Sequence, residues 1–274
     1  MLALRSALFN TLFYLNLILQ MIVLTPVYFL LPRKKAWIVP KTWARTNHWL
    51  MRVIVGTNFT VEGIENLPAD GVYILAPKHQ SFWDVYALLP HLPDPFFILK
   101  RELMRIPLFG WYVAKQRMVP VDRSARGRAM AAVLERAKAE MATGRQLIIY
   151  PEGTRRPPGA PPEYKFGVAR LYRDLKVPVV PVAMHPGLFW PRRSLMRYPG
   201  HFTVRILPPI QPGLSASDFL ARLIEETEAA SDALLIRTVH DNPALPLPPE
   251  ARARLDILAH QEVLPAAQPV GEPQ

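Results

Sequence analysis

The sequence predicts an α/β fold, a mostly parallel or mixed sheet flanked by helices, with an N-terminal membrane-associated helical element. Three observations carry that expectation. From Asn58 onward, short β-like runs alternate with helical stretches, the pattern of a sheet covered on both faces. Several of those runs end in polar side chains, where open α/β sheets bind ligands. Ahead of them, residues 7–31 hold no charged side chain at all.

The chain has 274 residues and is 50% hydrophobic, enough to bury a full core in one domain with additions at its ends. Residues 1–57 are expected to form a membrane helix or hairpin plus an interfacial amphipathic helix. Residues 58–240 form the α/β domain, and 241–274 a Pro/Ala-rich flexible tail with one short helix at 249–260. The absence of cysteine excludes disulfides, thiolate catalysis and Cys-ligated metals. A formal net charge of +11 points to an anionic partner: nucleic acid, an anionic membrane or a phosphorylated substrate. Its placement separates these. Residues 1–61 carry seven basic side chains (Arg5, Arg33, Lys34, Lys35, Lys41, Arg45, Arg52) and no acidic one. They flank a greasy segment instead of covering a soluble surface, which favours a bilayer over nucleic acid.

As one helix, 7–31 would extend about 37 Å at ~1.5 Å per residue, against roughly 30 Å of hydrocarbon. Pro26, Asn10, Asn16 and Gln20 leave a broken or dipping helix equally open. A cleaved signal peptide fits poorly, because the run is long and no small-x-small site follows it. Arg33-Lys34-Lys35 makes a basic stop, which the positive-inside rule puts in the cytoplasm. The stretch 41–56 mixes Trp43, Trp49, Leu50 and Val53 with Lys41, Arg45 and Arg52, as a helix in the headgroup region does. A buried core helix is the alternative.

Candidate strands follow at 72–76, 96–99, 118–121, 147–150, 179–183 and 202–207. Helices are expected at 83–89, at 126–143 with Met130, Val133, Leu134, Ala137 and Met141 on one face and Gly144 as stop, at 164–176, and at 216–240. The ends of the strands collect the chemistry. His79 follows the first, Lys100 the second, Arg123 the third, and Glu152-Gly153-Thr154-Arg155 the fourth. If those strands are parallel, the groups meet at one edge of the sheet.

His79 and Asp84 stand five positions apart, about 140° round a helix at ~100° per residue, so they cannot meet within one helix. A histidine in the turn before a helix can meet an aspartate in its first turn. Asp84 then holds one ring nitrogen as N–H and leaves the other as a base. The bland reading uses the same residues: Ser81 as N-cap and Asp84 as the acid of a capping box. In "YPEGTRRP" (150–157), Gly153 admits positive φ, Arg155 can fork onto phosphate oxygens, and Glu152 can steady that arginine or orient a hydroxyl. A solvated surface turn is the alternative there. Arg123 precedes a helix start that suits an anion. Val180 and Pro181, in "VPVVPVAM" (177–184), can line an apolar slot or sit in a buried strand, with Pro181 needing a bulge or an edge. The other histidines form no metal pattern, and neither a P-loop nor a G-x-S-x-G elbow is present. A base beside phosphate cations at a membrane suits activation of a hydroxyl on a phosphorylated lipid.

These stretches resemble the glycerolipid acyltransferases, specifically the 1-acyl-sn-glycerol-3-phosphate acyltransferase family. "HQSFWD" (79–84) is similar to its HxxxxD block, "KRELMRIPLFGWYVAKQRMVPVDR" (100–123) to its second, "YPEGTR" (150–155) to its third and "VPVVPVAM" to its fourth. "YKFGVARL" (164–171) resembles the stretch after the third. The match covers roughly 60 to 210, with Lys78 where many members have asparagine and Tyr150 where phenylalanine is common. The resemblance implies acyl transfer from a thioester, acyl-CoA or acyl-carrier protein as co-substrate, to the sn-2 hydroxyl of lysophosphatidic acid. In that scheme His79, held by Asp84, is the general base. Lys100, Arg123 and Arg155 hold the acceptor phosphate, and Glu152, Gly153 and Thr154 shape that site. No metal or other cofactor is implied. The expected setting is the phospholipid membrane, with the site on the cytoplasmic face of a bacterial inner membrane. Another lysolipid acceptor, such as lyso-ornithine lipid or a lysophospholipid, is the nearest alternative. A non-catalytic peripheral lipid-binding protein is the more distant one.

Overall fold

Seven strands build one mixed sheet: β1 (Thr57–Glu62), β2 (Ile74–Pro77), β3 (Pro95–Lys100), β4 (Val119–Val121), β5 (Gln146–Ile148), β6 (Val179–Met184) and β7 (Gly200–Ile206). Their order is β1-β7-β6-β2-β5-β3-β4, and every neighbouring pair is parallel except β6–β7. The computed structural model describes residues 1–69, 71–122 and 126–263. Six of the strands lie where apolar runs predict them. The first does not, because Thr57–Glu62 offers only Phe59 and Val61 as alternating apolar positions. It is held by parallel pairing to β7, which brings Glu62 opposite Arg205, with carboxylate and guanidinium 3.0 Å apart.

The helices are α1 (Leu2–Val23), α2 (Thr25–Leu30), α3 (Arg33–Ala36), α4 (Ile38–Leu50), α5 (Asp84–Ala87), α6 (Phe109–Lys115), α7 (Arg126–Met141), α8 (Gly167–Leu175), α9 (Pro186–Phe189), α10 (Ala216–Asp241) and α11 (Pro249–Val263). α10 packs on β6 and β7, α7 on β4 and β5, and α8 between those two helices. Trp83, just before α5, meets Phe59 of β1 and Phe202 of β7, so α4 and α5 cover the other face there. Gly144 follows α7 at φ +82, the left-handed stop expected of it.

Pro181 lies mid-strand in β6, which has neighbours on both sides. The ladder accommodates it with a bulge. Val182 pairs with Ile206 but Val179 bridges to Ile210, one residue farther than an unbroken antiparallel register allows. Val180 is fully buried in the main core, so β6 presents packed strand at these two residues and not an open slot.

The N-terminal helices form an arch with both feet on the α/β body. At one foot, the hydroxyl of Ser6 accepts from the backbone N–H of Arg197, and Asn10 Nδ2 donates to the Leu195 carbonyl at 2.8 Å. Phe13 packs its ring 5.2–6.1 Å from those of Trp43, Phe82, Tyr86 and Trp190. Phe9 and Phe13 thus belong to the main core, although the sequence assigns them to a separate element. Beyond this foot the helix turns outward-facing, with Ile18 54% and Val23 65% exposed. α2 returns: Tyr28 stacks on Tyr112 at 3.9 Å, and Lys115 donates to the Phe29 and Leu31 carbonyls. Arg33 then forks onto buried Asp94, with both contacts 2.7 Å, and Trp37 Nε1 donates to the same carboxylate. α4 is part of both readings given above, since Val39, Ala44 and Asn47 are buried while Ile38 and Trp49 are exposed.

The C-terminal segment also differs from expectation. α11 is docked, with Ala251 fully buried in the main core and Arg254 paired to Asp232 of α10. It lies on the loop after "YPEGTR": a Cβ at Gly159, itself at φ +78, would sit 2.6 Å from the Ala251 Cα. Proline content marks the connection 242–248, not a loose tail, through residue 263.

Candidate active site

β2, β5, β3 and β4 run parallel, so their carboxyl ends do share one edge. His79 stands two residues beyond β2, and its Nδ1 lies 2.9 Å from Asp84 Oδ2. That oxygen also accepts from the backbone N–H groups of Gln80 (2.6 Å) and Ser81 (2.8 Å). A carboxylate offers only acceptors, so Nδ1 carries the proton in this pair and Nε2 is left with its lone pair. The acid half of the predicted capping box therefore forms. The serine half does not: Trp83 occupies the N-cap position, and Ser81 Oγ accepts from the Trp83 N–H, only two residues on. One aspartate serves both the helix start and the histidine, which dissolves the choice the sequence poses.

Glu152 follows β5 and is 1% exposed. Its Oε2 accepts the His79 backbone N–H at 3.1 Å, and its Oε1 lies 3.1 Å from Lys78 Nζ. It neither faces solvent nor steadies Arg155. Buried Lys78 reaches a second carboxylate, Glu228 of α10, at 2.7 Å. Tyr164 OH donates to that same Glu228 oxygen at 2.8 Å, and burial beside the carboxylate drives the phenol upward in pKa. On its carbonyl side, His79 accepts from the Arg156 N–H at 2.8 Å. Both backbone polar groups of the histidine are thus fixed by the turn after β5. Tyr150 lies under the imidazole, ring centroids 3.9 Å apart and planes 21° from parallel, and burial pushes its phenol well above the usual value.

Gly153 adopts φ +67, as the tight turn requires, and Thr154 is exposed. The Arg155 guanidinium is half-buried over the Phe82 ring, 5.7 Å from its centroid, which places it beside the His79–Asp84 turn. Lys100 ends β3 on the shared edge but two strands from β2. It is exposed and pairs with Glu102 at 3.5 Å. Arg123 lies outside the described residues.

A model of the family described as Acyltransferase matches residues 58–185. A Pseudomonas aeruginosa protein named 1-acyl-sn-glycerol-3-phosphate acyltransferase is 32% identical over 229 residues, covering 82% of this chain and 89% of that one. The chain belongs to the 1-acyl-sn-glycerol-3-phosphate acyltransferase family. Among other relatives, the mouse 1-acyl-sn-glycerol-3-phosphate acyltransferase alpha is 28% identical, over 61% of this chain and 60% of its own length. The crystal structure of the 1-acyl-sn-glycerophosphate acyltransferase PlsC from Thermotoga maritima superposes with a TM-score of 0.70 at 25% identity, covering 85% of this chain and 99% of that one. The chain is thus an O-acyltransferase with a mixed seven-stranded sheet of the PlsC type.

Sequence reasoning on this acyltransferase missed three contributors around His79. Lys78 was legible only as a departure from asparagine. Glu228 sits in a solvated-looking acidic stretch of α10. His185 is fully buried behind Gln80: its Nε2–H donates to the Ser231 carbonyl at 2.7 Å, and its Nδ1 accepts from Gln80 Nε2 at 3.1 Å. Burial lowers His185 to about 4, so it stays neutral and structural.

Proposed function

We propose that this acyltransferase moves a fatty acyl group from a thioester, acyl-CoA or acyl-carrier protein, to the sn-2 hydroxyl of 1-acyl-sn-glycerol-3-phosphate at a membrane surface. The observation that carries the mechanism is the Asp84 carboxylate on His79 Nδ1, which leaves Nε2 as proton acceptor. Nε2 takes the proton of the acceptor hydroxyl as its oxygen attacks the thioester carbonyl. Collapse of the tetrahedral adduct breaks the C–S bond, and the departing sulfur takes the proton back from the imidazolium. His79 ends neutral, and the products are phosphatidic acid and the free thiol. Base catalysis of this kind contributes about 10²–10⁴-fold. Arg155 holds the acceptor phosphate, with Lys100 farther along the same edge and Arg123 given the same role by its motif alone, and Gly153 and Thr154 shape that turn. Glu152 acts behind the histidine as a positioning residue.

The arch supplies the membrane contact. Its α1 helix is 22 residues long and contains an 18-residue stretch with a mean hydropathy of 1.6, long and apolar enough to cross a bilayer. A single crossing would separate Ser6 from Arg33, yet both are anchored to the α/β body. A dip into one leaflet satisfies both anchors, and Arg33-Lys34-Lys35 at the returning foot favour the cytoplasmic side, in keeping with a site on the cytoplasmic face of a bacterial inner membrane. The test is thioester-dependent acylation of lysophosphatidic acid by purified protein, wild type beside His79→Ala. A loss of about 10²–10⁴-fold with retained fold is expected. Full activity in His79→Ala would sink the mechanism, and greater turnover of other lysolipids would reassign the acceptor.

A further inference from the structure

The loop after α9, Trp190-Pro191-Arg192-Arg193-Ser194-Leu195-Met196-Arg197, exposes groups that a rigid loop should hide. Leu195 is 79% exposed, the most exposed large apolar side chain beyond residue 57 among the described residues. Arg192 and Arg193 beside it are exposed as well. Nothing about the loop is slack. The buried Arg197 guanidinium lies 4.4 Å from the Trp190 ring centroid, and its Nη1 donates to the Ser194 and Met196 carbonyls. Ser194 Oγ accepts from the Met196 N–H, and the Tyr198 N–H donates to the Phe189 carbonyl. Ser6 and Asn10 of α1 bond the Arg197 and Leu195 backbone directly. These braces hold Leu195 out in the open, beside the stretch of α1 that exposes Leu4 and Leu8.

Charge narrows what meets this surface. Neither 1–61 nor 175–217 contains an acidic residue, so the arch and the loop join into one apolar and basic face. Apolar side chains interleaved with arginine, continuous with an amphipathic helix, suit the headgroup region of an anionic bilayer. The loop also touches the active site, because Arg192 Nη1 donates to the Arg155 carbonyl at 2.8 Å. We propose that this loop is a lipid-contacting lip of the active site. Leu195 enters the interface of an anionic bilayer, Arg192 and Arg193 lie against lipid phosphates, and the Arg192–Arg155 contact seats the catalytic turn at the surface. The proposal rests on the reading of the arch as membrane-inserted, and goes beyond it by giving the α/β body its own lipid contact.

The chain has no cysteine, so a polarity-sensitive fluorophore can be placed at one site at a time. Full-length Leu195→Cys and Leu19→Cys would be labelled and mixed with vesicles of phosphatidylcholine alone or mixed with phosphatidylglycerol. On the anionic vesicles both probes should shift to the blue and be quenched by a lipid-borne quencher. Adding Arg193→Gln should weaken binding about fivefold, the equivalent of ~1 kcal/mol per basic residue at such a surface. A probe at 195 that stays aqueous while the probe at 19 reports lipid overturns the lip and leaves the arch intact. Two aqueous probes overturn both. Equal insertion into neutral vesicles, with Arg193→Gln silent, overturns the anionic recognition.

Discussion

Lys78 is the residue on which the surroundings of His79, the proposed general base, balance. Its amine is buried between Glu152 and Glu228, and Glu152 in turn holds the His79 backbone N–H. Replacement by methionine leaves buried Glu152 and half-buried Glu228 without a cation, and removing one partner of a buried pair costs about 3–5 kcal/mol. Lys78→Met should therefore melt well below wild type and lose kcat with little change in KM. Lys78→Met with Glu228→Gln removes one of the stranded charges and should recover part of both, as thermal unfolding and steady-state kinetics will show. The carboxylates that matter here were unreadable from the sequence for a physical reason. Glu152 looks like a surface group because it lies in a turn, and only its geometry against His79 shows that the turn points inward. His185 gives a pH test at the same scale. In the folded protein it titrates at about 4, against 6.5 for the free side chain. Between those values the unfolded chain binds the extra proton, so stability is full above about 6.5 and falls as the pH drops toward 4. His48, also lowered to about 4 by burial, adds to the same slope. Melting temperature followed from pH 7 to pH 4.5 should decline, and His185→Gln should flatten that decline relative to its own value at pH 7.

At the scale of elements, α1 is a core helix at one end and, along its exposed length, long and apolar enough to enter a membrane. Phe13 fills a site among Trp43, Phe82, Tyr86 and Trp190, and Phe82 also carries the Arg155 guanidinium. Phe13→Ala should cost about 3–5 kcal/mol, as truncation of a buried phenylalanine does. It should also depress activity through Phe82, whereas Ile18→Ala, out on the exposed part of the arch, should leave the melting temperature nearly unchanged. Chemical denaturation of both variants in detergent checks this. The uncharged run at 7–31 marks an apolar helical element plainly. What it hides is that the first two turns or so of that run belong to the domain core, because partners at Trp190 and Arg197 are far along the chain. The strands tell the same story from the other side. Local apolar runs mark β2 to β7, while β1, with two apolar positions, is made a strand by β7.

For the whole molecule, the parallel edge formed by β2, β5, β3 and β4 brings the ends of β2 and β5 together, His79 beside Glu152, and the shared edge was readable from strand ends alone. Distances within the edge were not. Lys100 shares the edge but pairs with Glu102, two strands from the histidine. Lys100→Ala should consequently raise the KM for lysophosphatidic acid far less than Arg155→Ala, a difference that acceptor titrations at saturating thioester will resolve. The docking of α11 over the Gly159 loop extends the body past the point where proline-rich sequence suggests it ends.

The bonds between Ser6 and Arg197 join residues 191 positions apart. At about 5–20 residues per second of synthesis, the N-terminal helix waits roughly 10–40 s for the residues that complete its foot. During that interval Phe9 and Phe13 lack Trp190, the ring both pack against, and the foot of α1 is incomplete. The growing chain therefore needs a greasy host well before it can be an enzyme. A bilayer reached early in translation would serve as both its holding place and its eventual place of work.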